Sequence, residues 1–189
     1  MSEQAPETDS SIWARIEEWY VERDAAHFLL PPATAEDITA VETELGVSLP
    51  EAVTLSLRRH NGSMESGWPA GQLLSCAGII RETTVWRDLL ADGTFDDLAD
   101  FNANDENAQA LKTGWRNTGW LSLDADGSGN GSALDLSPGP DGTVGQIIDM
   151  DHETGPSGPT APDFIGYLND RLEELEDCTV VDGEYVEAG

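Results

Sequence analysis

The sequence is poor in basic residues, and this shortage excludes several classes of ligand. It has 9 lysines and arginines against 37 aspartates and glutamates, which gives a formal net charge of -28. Proteins that bind phosphate backbones need clustered lysine and arginine, so nucleic acids and anionic membrane surfaces are disfavoured as direct ligands. A basic protein is the favoured partner, although an acidic surface also serves solubility alone.

Cysteines and long apolar runs are scarce as well. Cys76 and Cys178 belong to no CxxC pair, which favours two reduced thiols in a reducing compartment, with one disulfide as the alternative. Residues 1–10 are acidic and polar, unlike a secretory signal, and no run reaches the roughly eighteen apolar residues of a membrane span. We therefore expect a cytoplasmic protein.

The chain nevertheless has enough apolar surface to fold, since 39% of its residues are hydrophobic and 6 are tryptophan. Helical spacing of apolar residues predicts helices, and alternating runs bounded by turn residues predict strands. The predicted helices cover residues 12–20, 34–45, 48–60, 81–90 and 164–175, and the predicted strands cover 72–76, 120–123, 133–136, 144–150 and 180–186.

Local signals refine this pattern. Ser10 or Ser11 is expected to cap the first helix, and Thr34 with Asp37 resembles a capping box. Residues 138–142 predict the turn of a hairpin, and the Gly- and Pro-rich residues 154–162 predict a loop. The order of elements predicts an α+β fold in which N-terminal helices and a C-terminal helix pack on a mostly antiparallel sheet. We expect a disordered acidic N-terminus, 1–10, followed by a single domain, 11–189.

An ordered series of motifs resembles the Smi/Knr cell-wall regulator family, the founding branch of the SUKH superfamily. The series comprises an E..LG..LP stretch at 42–50, His60-Asn61-Gly62, a W...DG.GN....LDL.P...G..GQ run at 120–146, and Phe164 with Leu168 in the closing helix. The resemblance implies a SUKH-like fold, no catalytic residues, no cofactor and a role in protein binding. It also implies two known roles: bacterial members neutralise toxins, and fungal relatives act as scaffolds in cell-wall signalling.

We therefore expect a non-enzymatic protein-binding module. An immunity protein that neutralises a cognate toxin is the leading interpretation, and a basic toxin such as a nuclease would suit the acidic composition. A regulatory scaffold in cell-wall synthesis or signalling is the alternative, and an unrecognised metal-dependent hydrolase is the third. Neither nucleic acid nor a membrane is expected as a partner.

The candidate partner-binding residues are one aromatic residue and a group of acids. Trp68 follows Ser66-Gly67 and precedes Pro69, so we expect an exposed loop tryptophan that anchors an interface. Asp96, Asp97, Asp100 and Asp105 belong to an acidic stretch that contains no base. Concentrated like charge of this kind suits a basic partner surface.

Two further motifs have a structural and a chemical interpretation. His60, Asn61 and Gly62 predict a turn that ends a helix, since no motif supplies the groups that a catalytic histidine needs. Asp124, Asp126, Ser128 and Asp135 fall at calcium-loop spacing, but Asp135 stands where such loops carry glutamate. The competing interpretation is a Gly-rich hairpin with Gly129 and Gly145 as structural glycines, so we expect no metal site.

Overall fold

Five α-helices and eight short strands make up the part of the chain that the computed structural model describes, residues 9–69, 71–103, 109–181 and 184–187. The helices are α1 (Asp9–Glu22), α2 (Ala35–Leu45), α3 (Glu51–Arg59), α4 (Cys76–Ala91) and α5 (Phe164–Glu176). Each corresponds to a predicted helix. Residues 1–8 of the predicted disordered terminus lie outside the described residues, whereas Asp9 and Ser10 lie in α1.

Helix ends follow local hydrogen bonding, and some differ from the predictions. The capping box is confirmed, because Thr34 and Asp37 bond each other's backbone N–H, and Gly46 ends α2 with a left-handed φ of 66°. Ser10 and Ser11 lie inside α1 and are not its cap. Helix α3 begins at Glu51, after Pro50, and not at Ser48.

Helix α4 starts five residues earlier than predicted. The side chain of Ser75 accepts a hydrogen bond from the N–H of Gly78 and so caps the helix before Cys76. The predicted strand at 72–76 is correspondingly shorter, because the strand β1 covers only Gln72–Leu73. The cap therefore turns the end of that apolar stretch into helix.

The strands form one four-stranded antiparallel sheet and two small ladders. The sheet has the order β2-β4-β5-β6, with β2 (Trp120–Ser122), β4 (Gly131–Asp135), β5 (Gln146–Asp151) and β6 (Gly155–Ala161). The predicted hairpin is confirmed, since Ala133 in β4 pairs with Ile148 in β5. Strand β1 pairs with β3 (Asp124–Ala125), and β7 (Cys178–Val181) pairs with β8 (Glu184–Glu187).

Two strand predictions need correction. Residues 154–162 contain β6 instead of a loop, and its prolines are accommodated because β6 lies at the edge of the sheet, where an absent N–H breaks no ladder. The C-terminal strand predicted at 180–186 is a separate hairpin, β7–β8, and adds no strand to the four-stranded sheet. The α+β class is as predicted.

Apolar side chains cover both faces of the central strands. Leu134 and Ile147 lie in the main core together with α1, α3 and α5. The neighbouring residues Ala133 and Ile148 point the other way and pack with Leu111 in a smaller cluster. The chain around 109–120 therefore covers the second face of the sheet. No helix among the described residues is long and apolar enough to cross a membrane.

Candidate functional site

The His60-Asn61-Gly62 turn joins α3 to two other helices. His60 Nδ1 lies 3.0 Å from the carbonyl oxygen of Leu30, and His60 Nε2 lies 2.8 Å from Glu17 Oε1 in α1. Arg59 Nε donates to the same Glu17 carboxylate at 2.6 Å. The Arg59 guanidinium, assisted by His60, holds the pKa of Glu17 below its ordinary value. These contacts give His60 a bridging role between helices.

The other two residues of the turn fix the start of α4. Asn61 Oδ1 accepts a hydrogen bond from the N–H of Cys76 at 2.8 Å, which satisfies a backbone donor that the helix leaves open. Gly62 has a φ of +79°, and a Cβ built there would lie 2.5 Å from the carbonyl oxygen of Leu73. Both observations support the structural interpretation of the turn.

Trp68 is buried, so its predicted exposure is wrong. Only 1% of the residue is accessible, because the loop folds back on itself through the Trp68–Gly71 bridge. The ring lies against Trp13 of α1, with 5.9 Å between centroids, and Nε1 donates to the hydroxyl of Tyr167 in α5 at 2.9 Å. Trp68 therefore belongs to the core and cannot be a surface anchor in this conformation.

Tyr167 extends this contact into a buried polar chain. Its hydroxyl donates to Asp124 Oδ2 at 2.7 Å, and the N–H of Ser132 donates to Asp124 Oδ1. Burial raises the pKa of Asp124, although these hydrogen bonds oppose the rise. Sequence analysis missed this network because residues 68, 124 and 167 are distant in the chain and no spacing rule relates them.

The four calcium-loop candidates do not form a common site. Asp126 accepts hydrogen bonds from Ser128 and Asn130, which lower its pKa to about 2 against the opposing effect of burial. Asp135 bonds Gln146 Nε2 at 3.0 Å and pairs with Trp120 across the sheet.

Asp124 lies at the other end of β4, beside Gly131. Gly131 is four residues of strand, about 13 Å, from Asp135. Asp124 and Asp135 are therefore too far apart to bind one cation. Gly129 and Gly145 have left-handed φ values of 107° and 94°, as a Gly-rich hairpin requires. Across the described ranges, no three His, Cys, Asp or Glu side chains form a group suited to a metal ion.

The acidic segment, residues 92–103, presents its carboxylates to solvent. Asp96 and Asp97 begin a short 3₁₀ helix (Asp96–Leu98), and Asp100 follows it; all three are exposed. Asp105 lies outside the described residues. Two aromatic contacts hold the segment on the domain. The ring centroids of Phe95 and Trp86 lie 6.4 Å apart, and those of Phe101 and Trp115 lie 4.9 Å apart. Three of the four predicted acids are thus close together on a packed support.

Comparison with known proteins accounts for the ordered motifs. The model of the SMI1 / KNR4 family (SUKH-1) matches residues 32–170, from the residues before α2 into α5. The chain belongs to the SMI1/KNR4 family. The match includes the His60 turn and the four-stranded sheet, so the resemblance identified in the sequence is confirmed.

Curated relatives of this SMI1/KNR4 chain include fungal proteins that are named as regulators. It is 32% identical to the "Cell wall biosynthesis/cell cycle regulator smi1" of Schizosaccharomyces pombe, over 76% of the chain and 31% of that protein. It is 27% identical to the "Cell wall assembly regulator SMI1" of Saccharomyces cerevisiae, over 87% of the chain and 40% of that protein. It is 26% identical to the "Glucan synthesis regulatory protein" of Neurospora crassa, over 74% of the chain and 33% of that protein. The chain thus spans about a third to two fifths of these relatives.

Proposed function

We propose that the chain is a non-enzymatic protein-binding domain that regulates cell-wall assembly. The observation that carries this proposal is the similarity over most of the chain to proteins named as regulators of cell-wall assembly, cell-wall biosynthesis and glucan synthesis. It favours the regulatory scaffold, which the sequence supported only as the alternative, over the immunity protein.

The geometry supports binding over catalysis. The polar residues that suggested chemistry already have structural partners: His60 bridges helices, Asp124 bonds Tyr167, and Asp135 bonds Gln146. A catalytic group needs an accessible reacting atom beside an acid or base of suitable pKa. A metal-dependent hydrolase, the third interpretation, would further need a ligand cluster, and the described residues offer none.

An immunity protein is the second candidate, and net charge is the observation that favours it. A charge of -28 on 189 residues would steer a basic protein such as a nuclease toward the domain and raise its association rate. The same charge suits a basic regulatory partner, so charge does not distinguish the two roles.

Deletion of the gene from its natural host distinguishes them. The regulatory role predicts altered sensitivity to inhibitors of cell-wall synthesis, restored by the wild-type gene, with unchanged survival beside wild-type sister cells. Killing of the deletion strain by wild-type neighbours, with unchanged sensitivity to wall inhibitors, would establish immunity and overturn the proposal. A partner isolated from wild-type cells should form a complex of fixed stoichiometry with the purified chain, and neither protein should be chemically altered.

A further inference from the structure

A cavity of about 150 Å³ lies between α4, the turn that joins β3 to β4, and the central sheet. Its wall includes Glu82 and Trp86 of α4, Arg116, Ser122, Asp124 and Met150. Gly127, Gly129 and Asn130 of the DG.GN motif also line it. Its volume suits a single small polar group with a few water molecules.

Arg116 is the unusual member of the wall. Only 9% of the residue is accessible, and its guanidinium carbon lies 3.6 Å from the centroid of the Trp86 ring. Its Nε and Nη2 atoms are buried and have no hydrogen-bond partner among the described residues. No carboxylate of the described chain forms an ion pair with it, because the ion pairs found there involve other arginines and two histidines.

An unpaired buried cation is costly, and stacking on a tryptophan offsets only part of the cost. Burial lowers the pKa of Arg116 to about 10, so the side chain remains charged at neutral pH. Arg87 of α4, the helix that carries Trp86, shows how a partly buried arginine is usually satisfied. Its Nη1 and Nη2 donate to the carbonyl oxygens of Leu45 and Thr118. Glu82 and Asp124 line the same cavity, but among the described residues neither forms an ion pair with Arg116, which points to a ligand as the source of its anion.

We propose that this cavity binds the carboxylate group of a ligand, with the guanidinium of Arg116 as its cationic partner and Trp86 as the support of that guanidinium. A planar carboxylate matches a guanidinium in shape and charge. Glu82 also lines the wall, and the whole chain carries a charge of -28. This negative charge penalises a phosphate, with its charge near -2, more than a carboxylate of charge -1. The site is independent of the proposed regulatory function.

Nuclear magnetic resonance of the full chain tests the site directly, with the Arg116 Nε–Hε and Trp86 indole signals as reporters. Titration with sodium acetate at constant ionic strength, against sodium chloride, should shift both signals saturably, whereas sodium phosphate should bind more weakly. Arg116→Met should weaken acetate binding by about tenfold or more, because it removes the charge and keeps an apolar chain over Trp86.

A pair of charge-matched variants tests the local electrostatics without touching Arg116. Glu82→Gln should tighten acetate binding about two- to fivefold, because it removes a like charge from the cavity wall. Glu18→Gln in α1 makes the same change in net charge at an exposed position and should leave acetate affinity unchanged. The comparison of Glu82→Gln with Glu18→Gln tests whether acetate binds in the cavity even if Arg116→Met fails to fold.

Peptides identify the source of the carboxylate. Acetyl-Gly-Glu-Gly-amide binding more tightly than acetate, with the glutamine analogue inactive, would support a carboxylate carried by a protein partner, whereas equal or weaker binding would support a free small carboxylate. Three results would overturn the proposal. They are signal shifts with acetate no larger than those with chloride, an acetate affinity of Arg116→Met equal to that of the wild type, and tighter binding of phosphate than of acetate. None of these results bears on the deletion phenotypes that test the regulatory function.

Discussion

Gly62 occupies a backbone position that excludes a side chain for two separate reasons. Its φ of +79° is unfavourable for other residues, and a Cβ would also meet the backbone of Leu73 and Ser75 at 2.5 and 2.6 Å. Gly46 is the matched control, since its φ is +66° but no atom lies within 4 Å of a Cβ built there. Gly46→Ala should cost about 1 kcal/mol and Gly62→Ala about 3 kcal/mol or more in urea unfolding.

His60→Ala provides the comparison within the same turn. It removes contacts with Leu30 and Glu17 on a partly exposed side chain, so we expect a loss of about 1 kcal/mol, smaller than that of Gly62→Ala. Equal unfolding free energies for Gly62→Ala and Gly46→Ala would contradict the close approach at Gly62.

The buried carboxyl of Asp124 makes stability depend on pH. Because its pKa is raised in the folded protein, its stabilising contribution is complete below the ordinary value of 3.8 and is lost as pH rises through the folded pKa. Asp124→Asn does not titrate, so the unfolding free energy of the variant minus that of the wild type should increase from pH 4 to pH 7. Urea unfolding at intervals of one pH unit measures this difference.

Asp126→Asn is the control of opposite sign. The pKa of Asp126 is lowered to about 2, so its contribution is present above 3.8 and is lost as pH falls toward 2. The variant should therefore become less stable relative to the wild type as pH rises from 2 to 4. A difference for Asp124→Asn that stays flat or decreases between pH 4 and 7 would show that burial does not raise the pKa of the Asp124 carboxyl.

At the scale of single elements, α2 shows how a local motif determines a boundary. Thr34 and Asp37 satisfy each other's backbone N–H groups at its start. Thr34→Ala should lower stability by about 1 kcal/mol, whereas Thr39→Ala, at an exposed position inside the same helix, should be neutral or slightly stabilising because alanine favours helix. Thermal and urea unfolding measure both variants, and equal destabilisation by the two would exclude a capping role for Thr34.

Elements were predictable where the sequence pattern and the local hydrogen bonds agree. The five helices follow from apolar spacing, and the β4–β5 hairpin follows from its turn residues. Strand β6 could not be predicted, because Pro156 and Pro159 are unfavourable in a strand unless it lies at a sheet edge, and edge position is a tertiary property. The early start of α4 depends on Asn61 and Ser75, which contact it from outside the helix.

The same reasoning explains which parts of the candidate site were predictable. The acids of the acidic segment were identified because charge can be counted in the sequence. The burial of Trp68 and the cavity beside Arg116 were not, because each depends on segments that only the fold brings together. Trp68 meets Tyr167, 99 residues away, and Arg116 stacks on Trp86 of α4. Contacts at such separations leave no periodic signal.

At the scale of the whole molecule, negative charge is concentrated in the second half of the chain. Residues 88–189 contain 23 acids and three bases. Two of these bases contribute little to the surface, since Arg116 is buried and the Arg171 side chain is only 20% exposed. Self-repulsion of this kind opposes folding, and a basic partner would relieve it. We therefore expect the acidic segment to accelerate association with that partner.

Replacement of Asp96, Asp97 and Asp100 by asparagine tests this expectation. The three side chains are exposed, so the fold should be retained, and the association rate with the partner isolated from native cells should fall several-fold at low salt, because exposed charges act mainly on association. Its dependence on ionic strength should also flatten, since salt screens such charges beyond about 10 Å. Stopped-flow measurement across a salt series gives both quantities.

The control removes the same net charge from exposed positions in α1 and α2, through Glu18→Gln, Glu36→Gln and Glu44→Gln. If net charge alone governs association, the two triple variants will slow it equally; if the acidic segment faces the partner, the aspartate variant will slow it more. The segment is suited to this role because Phe95 and Phe101 hold it on the domain by packing against Trp86 and Trp115. Equal rates and salt slopes in the aspartate variant and the wild type would make the segment a solvated surface that serves solubility.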